Sequence, residues 1–307
     1  MNRPAKTLRL FLAMTAALLA FFTVRGEAQV LFVGEWGTDR VGTYNAATGA
    51  PINPGFITGL DAPQGMLLSG SSLYLSDFNR GTVAKYDALT GAVVDLNFIT
   101  GLSAPSGLAV AGGSLYVAVP SSGRVGRYDL GTGAAISANF ITGLSGPIDV
   151  VIQGNNLFVT SYGGTTVRKY DATTGAILNA NFVTGLRQPH GITISGNDLF
   201  VTNDNPTRSV GRYNATTGAL INGTFVTGLF SARDLVVADN FLYVSDFGRG
   251  WVGKYNASTG EAVTPTFLIG LNGPLPLVIG VPEPSIAVLL LGSVGLAALH
   301  RRRPARV

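Results

Sequence analysis

The chain has 307 residues, none of them cysteine, and a formal net charge of +4. Four basic residues and one acidic residue precede Gln29, and another four and one follow Val281, so the body between them carries 13 basic and 15 acidic residues, a charge of −2. A disulfide framework is thereby excluded, and a nearly neutral body argues against nucleic acid as a partner, because phosphate binding needs a concentrated basic surface. Residues 1–28 carry Arg3, Lys6 and Arg9 ahead of an apolar stretch at 10–24, then Gly26-Glu27-Ala28, which places small residues at a cleavage position. That pattern predicts a signal peptide over 1–28 and a mature chain beginning at Gln29.

From residue 31 the sequence repeats. Tyr44, Tyr86, Tyr128, Tyr170, Tyr213 and Tyr255 recur every 42 or 43 residues, and Phe56, Phe98, Phe140, Phe182, Phe225 and Phe267 keep the same spacing. A period near 42 with alternating apolar residues is that of a four-stranded propeller blade, whereas helical repeats would show a 3.6-residue period. In the second copy, residues 65–68, 73–77, 82–87 and 93–99 are predicted as the inner, second, third and outer strands. The recurring Y-[DN]-A-x-T-G is predicted as a tight hairpin turn. The chain enters at 31–35, aligned with second strands, and the missing inner strand reappears at 273–279. An all-β, six-bladed propeller over 29–280 is therefore expected, its first blade completed by the C-terminal strand so that no sheet edge is left unclosed between the chain's ends.

The repeat pattern P-x-G, L-[YF]-[VL]-x-[DN], V-x-[KR]-Y-[DN] resembles NHL-type and YVTN-type propeller repeats, with Leu199-Phe200-Val201-Thr202-Asn203 closest to the second kind and the Asn-His-Leu triplet of the first missing. The resemblance implies the architecture and leaves activity open, since propellers host enzymes and plain binding modules alike.

Beyond the repeat, Pro282-Glu283-Pro284 is followed by an uncharged stretch at 286–299 and by Arg301, Arg302 and Arg303. As a helix the stretch would span about 21 Å, short of the roughly 30 Å hydrocarbon core, with the arginines snorkelling to the cytoplasmic side. These three parts, in this order, resemble the PEP-CTERM sorting signal of Gram-negative bacteria. The resemblance implies an exported chain held at the inner membrane by its C-terminal transmembrane helix and cut by an exosortase-like membrane protease. The cut product would reach the cell surface or the extracellular space, associated with exopolysaccharide. An ordinary tail anchor is the alternative.

Two rings of positions are expected at one face of the propeller. The first is Gln64, Ser106, Ile148, His190, Arg233 and Leu275, and the second is Glu35, Asp77, Val119, Ser161, Asn203 and Asp246. Glu35, Asp77, Asn203 and Asp246 offer oxygen ligands that suit calcium, or they end strands by bonding turns. His190 is the lone histidine of the mature domain, a candidate general base without a visible partner, and no nucleophile elbow or phosphate loop accompanies it. Asp149 and Asp234 replace the glycine of P-x-G, either adding carboxylates to the pore mouth or bonding backbone groups. Trp36, Phe78, Arg80, Tyr162, Arg208, Phe247 and Arg249 follow second strands on the same face; they read as a surface for sugars or a peptide, or as packing between blades. The expectation is a non-catalytic binding scaffold, with a calcium-dependent hydrolase or lyase at the pore mouth as the alternative.

Overall fold

The computed structural model describes residues 29–204 and 207–281. These form six four-stranded antiparallel sheets arranged as the blades of a propeller. In blade 1 the strands run, from the channel outwards, Pro274–Gly280, Val30–Glu35, Arg40–Asn45 and Pro51–Thr58. Blades 2 to 6 occupy residues 63–99, 108–141, 147–183, 189–226 and 232–268. The C-terminal strand closes blade 1 as expected, pairing Val30 with Gly280 at one end and Glu35 with Pro274 at the other. The segments read as signal peptide (1–28) and sorting tail (282–307) lie outside the described residues. Among the described residues no helix is long and apolar enough to cross a membrane.

Second strands are buried along almost their whole length, as in Asn156–Ser161 and Asp198–Asn203. Each is packed on both faces by neighbouring blades, so its apolar residues do not alternate with polar ones. Phe200 and Val210 of blade 5, for example, share one cluster with Leu235, Leu242 and Val244 of blade 6. With each such side chain contributing roughly 1.5–3 kcal/mol on burial, the interfaces between blades are the core. Outer strands are exposed except at their ends, and every one is out of simple register with its third strand. Such bulges twist an open edge away from intermolecular pairing.

The repeated turn works as its residue types require. Asp87 Oδ1 accepts the amides of Leu89 and Thr90 at 3.1 and 2.8 Å and the Thr90 hydroxyl at 2.7 Å. Gly91 then takes φ = 73°, open to glycine at no steric cost. A Cβ there would also collide with the Phe56 carbonyl of the preceding blade.

One strand is shorter than its alignment predicts. In blade 3 only Leu108–Ala111 is regular. Ala104 adopts φ = 58°, and the Gly107 amide donates across to Ile148 of blade 4 at 2.9 Å.

Candidate functional site

The loops after the second strands and the first residues of the inner strands meet at one end of the channel. They enclose a cup of about 350 Å³ with Trp36, Phe78, Pro120, Tyr162 and Phe247 as its collar. Gln64, Ile148, His190, Arg233 and Leu275 form the floor, so five members of the first expected ring converge here. The sixth, Ser106, is buried in the channel below. The collar aromatics are not simply flattened between blades, since Trp36 and Tyr162 are each 41% exposed. Trp36 stands edge-on to Phe247 with centroids 6.2 Å apart, and Tyr162 edge-on to His190 at 5.0 Å.

Blade 5 breaks the collar. At the position of the aromatics it carries Asp204, whose Oδ2 lies 3.5 Å from Arg233 Nη2. Arg233 also donates from Nε to Ser231 Oγ at 3.0 Å, and its Nη1 contacts His190 Nε2. Facing an obligate donor, Nε2 must be the acceptor, so His190 is neutral with its proton on Nδ1. Burial, and after it the Arg233 charge, pull its pKa down to about 3. A general base needs a free lone pair and a pKa near the working pH; here the lone pair is occupied. The sequence showed His190 and Arg233 in one ring, but their contact depends on two blades meeting at the channel and has no local signal.

The second ring does not gather its oxygens. Glu35 Oε1 pairs with Arg40 at 2.7 Å, and Oε2 accepts the Asn272 amide at 2.8 Å. Asp246 takes the amides of Phe230 and Ser231 at 2.8 and 3.0 Å. Asp77 takes the Asp61 amide at 3.0 Å and Arg80 Nη1 at 3.2 Å, and Asn203 takes the Arg187 amide at 2.8 Å. Each therefore ties down the loop that enters its own blade's inner strand. Among the described residues no group of three or more His, Cys, Asp or Glu is placed to hold a metal.

The three expected arginines also stay off the cup. Arg80 Nη2 donates to Gly59 O at 2.8 Å. Arg249 contacts Gly228 O and stacks 4.9 Å from the Trp251 ring centroid, while Arg208 stacks 4.6 Å from that of Phe230.

Below the cup the channel contains a cavity of about 150 Å³ whose lining includes both Asp149 and Asp234. Their carboxylates bond backbone rather than reaching the mouth. Asp149 accepts Val150 N at 2.8 Å and Ile192 N of blade 5 at 2.9 Å. Asp234 accepts Leu235 N at 2.8 Å and Leu277 N of blade 1 at 2.7 Å. Burial raises both carboxyls: Asp234 to about 7, and Asp149 well above the usual range with the Asp234 charge adding to the effect.

No family model and no curated protein matches the chain. Solved structures do. A chain of the nidogen/laminin complex is similar over 83% of this chain and 100% of its own length, with a TM-score of 0.70 at 14% identity. The computationally designed Ika8 protein matches over 80% of this chain and 73% of its own, with a TM-score of 0.51 at 16% identity. At such identities the likeness establishes the six-bladed fold and nothing about ligands.

Proposed function

We propose that the chain is an exported, non-catalytic propeller that displays the channel mouth as a binding face at the cell surface or in the extracellular matrix. The observation that carries this reading is the cup itself. Its walls are aromatic faces, and its single charged lining residue, Arg233, is already engaged by Asp204 and His190. A rigid apolar cup with no free acid, base or nucleophile suits stacking on sugar rings rather than turnover. Extracellular polysaccharide is accordingly the preferred partner, with a surface protein second, and no cofactor is assigned a role.

The ends of the propeller favour display. Glu35 and Pro274 pair at the mouth, whereas Val30 and Gly280 pair at the opposite end of the same strands, about 17 Å away at strand rise. The PEP-CTERM-like tail thus continues from the face opposite the cup. While 286–299 holds the chain at the inner membrane, before an exosortase-like protease releases it, the mouth would point away from the membrane.

Two measurements test this. Purified chain should sediment with the source organism's extracellular polysaccharide, and combining Trp36→Ala with Tyr162→Ala should weaken that binding at least tenfold. Binding that ignores the double substitution would remove the cup from the proposal. In cells, Pro282→Ala with Glu283→Ala should leave the protein uncut in the inner membrane fraction; normal release of that variant would sink the sorting assignment.

A further inference from the structure

Five of the six blades carry a basic residue at one place on the third strand, namely Lys85, Arg127, Lys169, Arg212 and Lys254. Each head lies against aromatic rings of its own blade: Arg212 sits 5.4 Å from the ring centroid of Phe225, and the other four lie over two rings or more, as Lys169 does 5.6 and 5.2 Å from those of Phe158 and Phe182. In three blades the head also reaches carbonyls of the next blade's hairpin. Arg127 Nη1 donates to Thr173 O at 2.9 Å, Arg212 Nη1 to Ser258 O at 2.7 Å, and Lys254 Nζ to Ala46 O at 3.3 Å. The blade unit thus contains a receptor for a cation, built from ring faces and hairpin carbonyls.

Blade 1 departs from the other five. It keeps the rings, Phe32 and Phe56, with centroids 5.6 Å apart. Opposite Phe32, however, it carries Thr43, whose short side chain turns to Asn53 O at 3.3 Å. Like Phe158 and Phe200 of blades 4 and 5, Phe32 lacks the hydroxyl with which Tyr74, Tyr116 and Tyr243 reach the following hairpin at 3.0, 2.6 and 2.7 Å, but in blade 1 no basic side chain takes its place. A groove of about 460 Å³ lies in front of Thr43, walled by Ile52 and Phe56 of blade 1 and by Ala88, Leu89 and Thr90 of the blade 2 hairpin. Phe32 is sealed, so half-buried Phe56 is the accessible ring, and Ile52 and Leu89 are 57% and 46% exposed.

We propose that this groove binds an alkylguanidinium or alkylammonium group, namely an arginine or lysine side chain of a partner polypeptide. The charged head would occupy the place that Lys or Arg fills in the other blades, over Phe56 and beside the Ala88 and Leu89 carbonyls, with its stem along Ile52 and Leu89. Val30 and Val281 also line the groove. The groove thus lies where the chain enters and leaves the propeller, and the partner polypeptide would dock there. This site is remote from the cup and stands whatever the cup binds.

The test uses n-butylguanidinium as probe and n-butylurea as its neutral control, titrated into the purified full-length chain and followed by NMR. Saturable binding in the roughly millimolar range is expected for a contact of this size, at least fivefold tighter for the cation. Thr43→Arg should abolish it by filling the groove from inside, and should raise the melting temperature by about 2 °C or more as blade 1 gains the interaction of its neighbours. Equal affinity for the two probes overturns the proposal, as does butylguanidinium binding that survives Thr43→Arg, or a folded Thr43→Arg that melts lower than the parent. Should Thr43→Arg not fold, Phe56→Leu decides: it keeps the apolar volume and removes the ring face, so undiminished binding refutes the site. Binding that appears only after removal of residues 282–307 would make the chain's own tail the occupant and overturn the partner assignment.

Discussion

The inner strands run from the channel up to the floor of its mouth, yet the joints between blades along the channel and the collar that the loops after the second strands add at the mouth are built by different rules. In the channel, polar side chains join one blade to the next. Ser76 Oγ accepts Gly65 N and donates to Ser106 O of blade 3, both at 2.7 Å, while Asp149 and Asp234 each accept an amide from the following blade. At the mouth, Trp36, Phe78, Tyr162 and Phe247 leave faces turned towards a cup. The difference teaches where function can reside in a repeat protein. Groups that close the ring are committed to one another, and the residues free to meet a ligand are those whose neighbours do not depend on them.

The sharpest way to break that contrast is to truncate one aromatic of each kind. Phe200 is 1% exposed between blades 5 and 6, and Phe200→Ala should cost about 3–5 kcal/mol in urea unfolding. Tyr162, with 41% of its surface open, should lose about 1 kcal/mol or less as Tyr162→Ala. A Tyr162→Ala penalty comparable to that of Phe200→Ala would show that the collar is packing after all.

Most of the fold was legible because the information is local and repeated. The Y-[DN]-A-x-T-G turn contains the acceptor, hydroxyl and glycine it needs within six residues, and the ring closure followed from aligning 273–279 with inner strands. The collar was legible for the same reason: Trp36, Phe78, Tyr162 and Phe247 share one register. Illegible were contacts that cross from blade to blade. Whether Asp149 faced the mouth or a backbone depended on the Ile192 amide, 43 residues away. The contact of Arg233 with His190 has the same separation, and the third-strand Lys and Arg heads gave no sign of the hairpins they cap. Calcium chemistry was suggested by Glu35, Asp77, Asn203 and Asp246 because type and register are visible in sequence, whereas the amides already bonded to them are not.

Acidity probes the channel more finely. Asp234 has a folded pKa of about 7, above the roughly 3.9 of an unfolded aspartate. The folded state therefore holds its proton more tightly, and this contribution to stability is full below about pH 4 and lost as pH rises through about 7. Asp149 acts in the same direction. His190 opposes them: with its pKa lowered to about 3, it contributes stability above about pH 6.5 that is lost as pH falls towards 3. Between pH 6.5 and 8 only the aspartates act, so urea stability should fall across that interval, each unit of raised pKa being worth about 1.4 kcal/mol. Asp234→Asn should flatten the fall while losing one backbone acceptor, and it should also bring Asp149 down by removing the charge beside it. A parent protein whose stability is level or rising from pH 6.5 to 8 would contradict this account of the channel.

The smallest effect belongs to the rim of the cup, where ion pairs and capped loops meet solvent. Glu35 Oε1 faces Arg40 while Oε2 holds the Asn272 amide, joining the second strand of blade 1 to the loop that precedes its inner strand. Glu35→Gln keeps an acceptor for the amide and removes the charge. The Glu35 side chain is only 1% exposed, but the substitution removes that buried charge and leaves Arg40, 33% exposed, able to reach solvent, so a loss of about 1 kcal/mol or less is expected. Neither EDTA nor millimolar calcium should shift the melting temperature of the parent or of this variant, since each carboxylate is already engaged by donors of its own blade and the carboxylates do not converge. A chelator-sensitive melt that Glu35→Gln abolishes would instead mean that the loops rearrange to share a cation. The rim would then be bound together by an ion, and the contrast between a committed channel and a free mouth would fail at its edge.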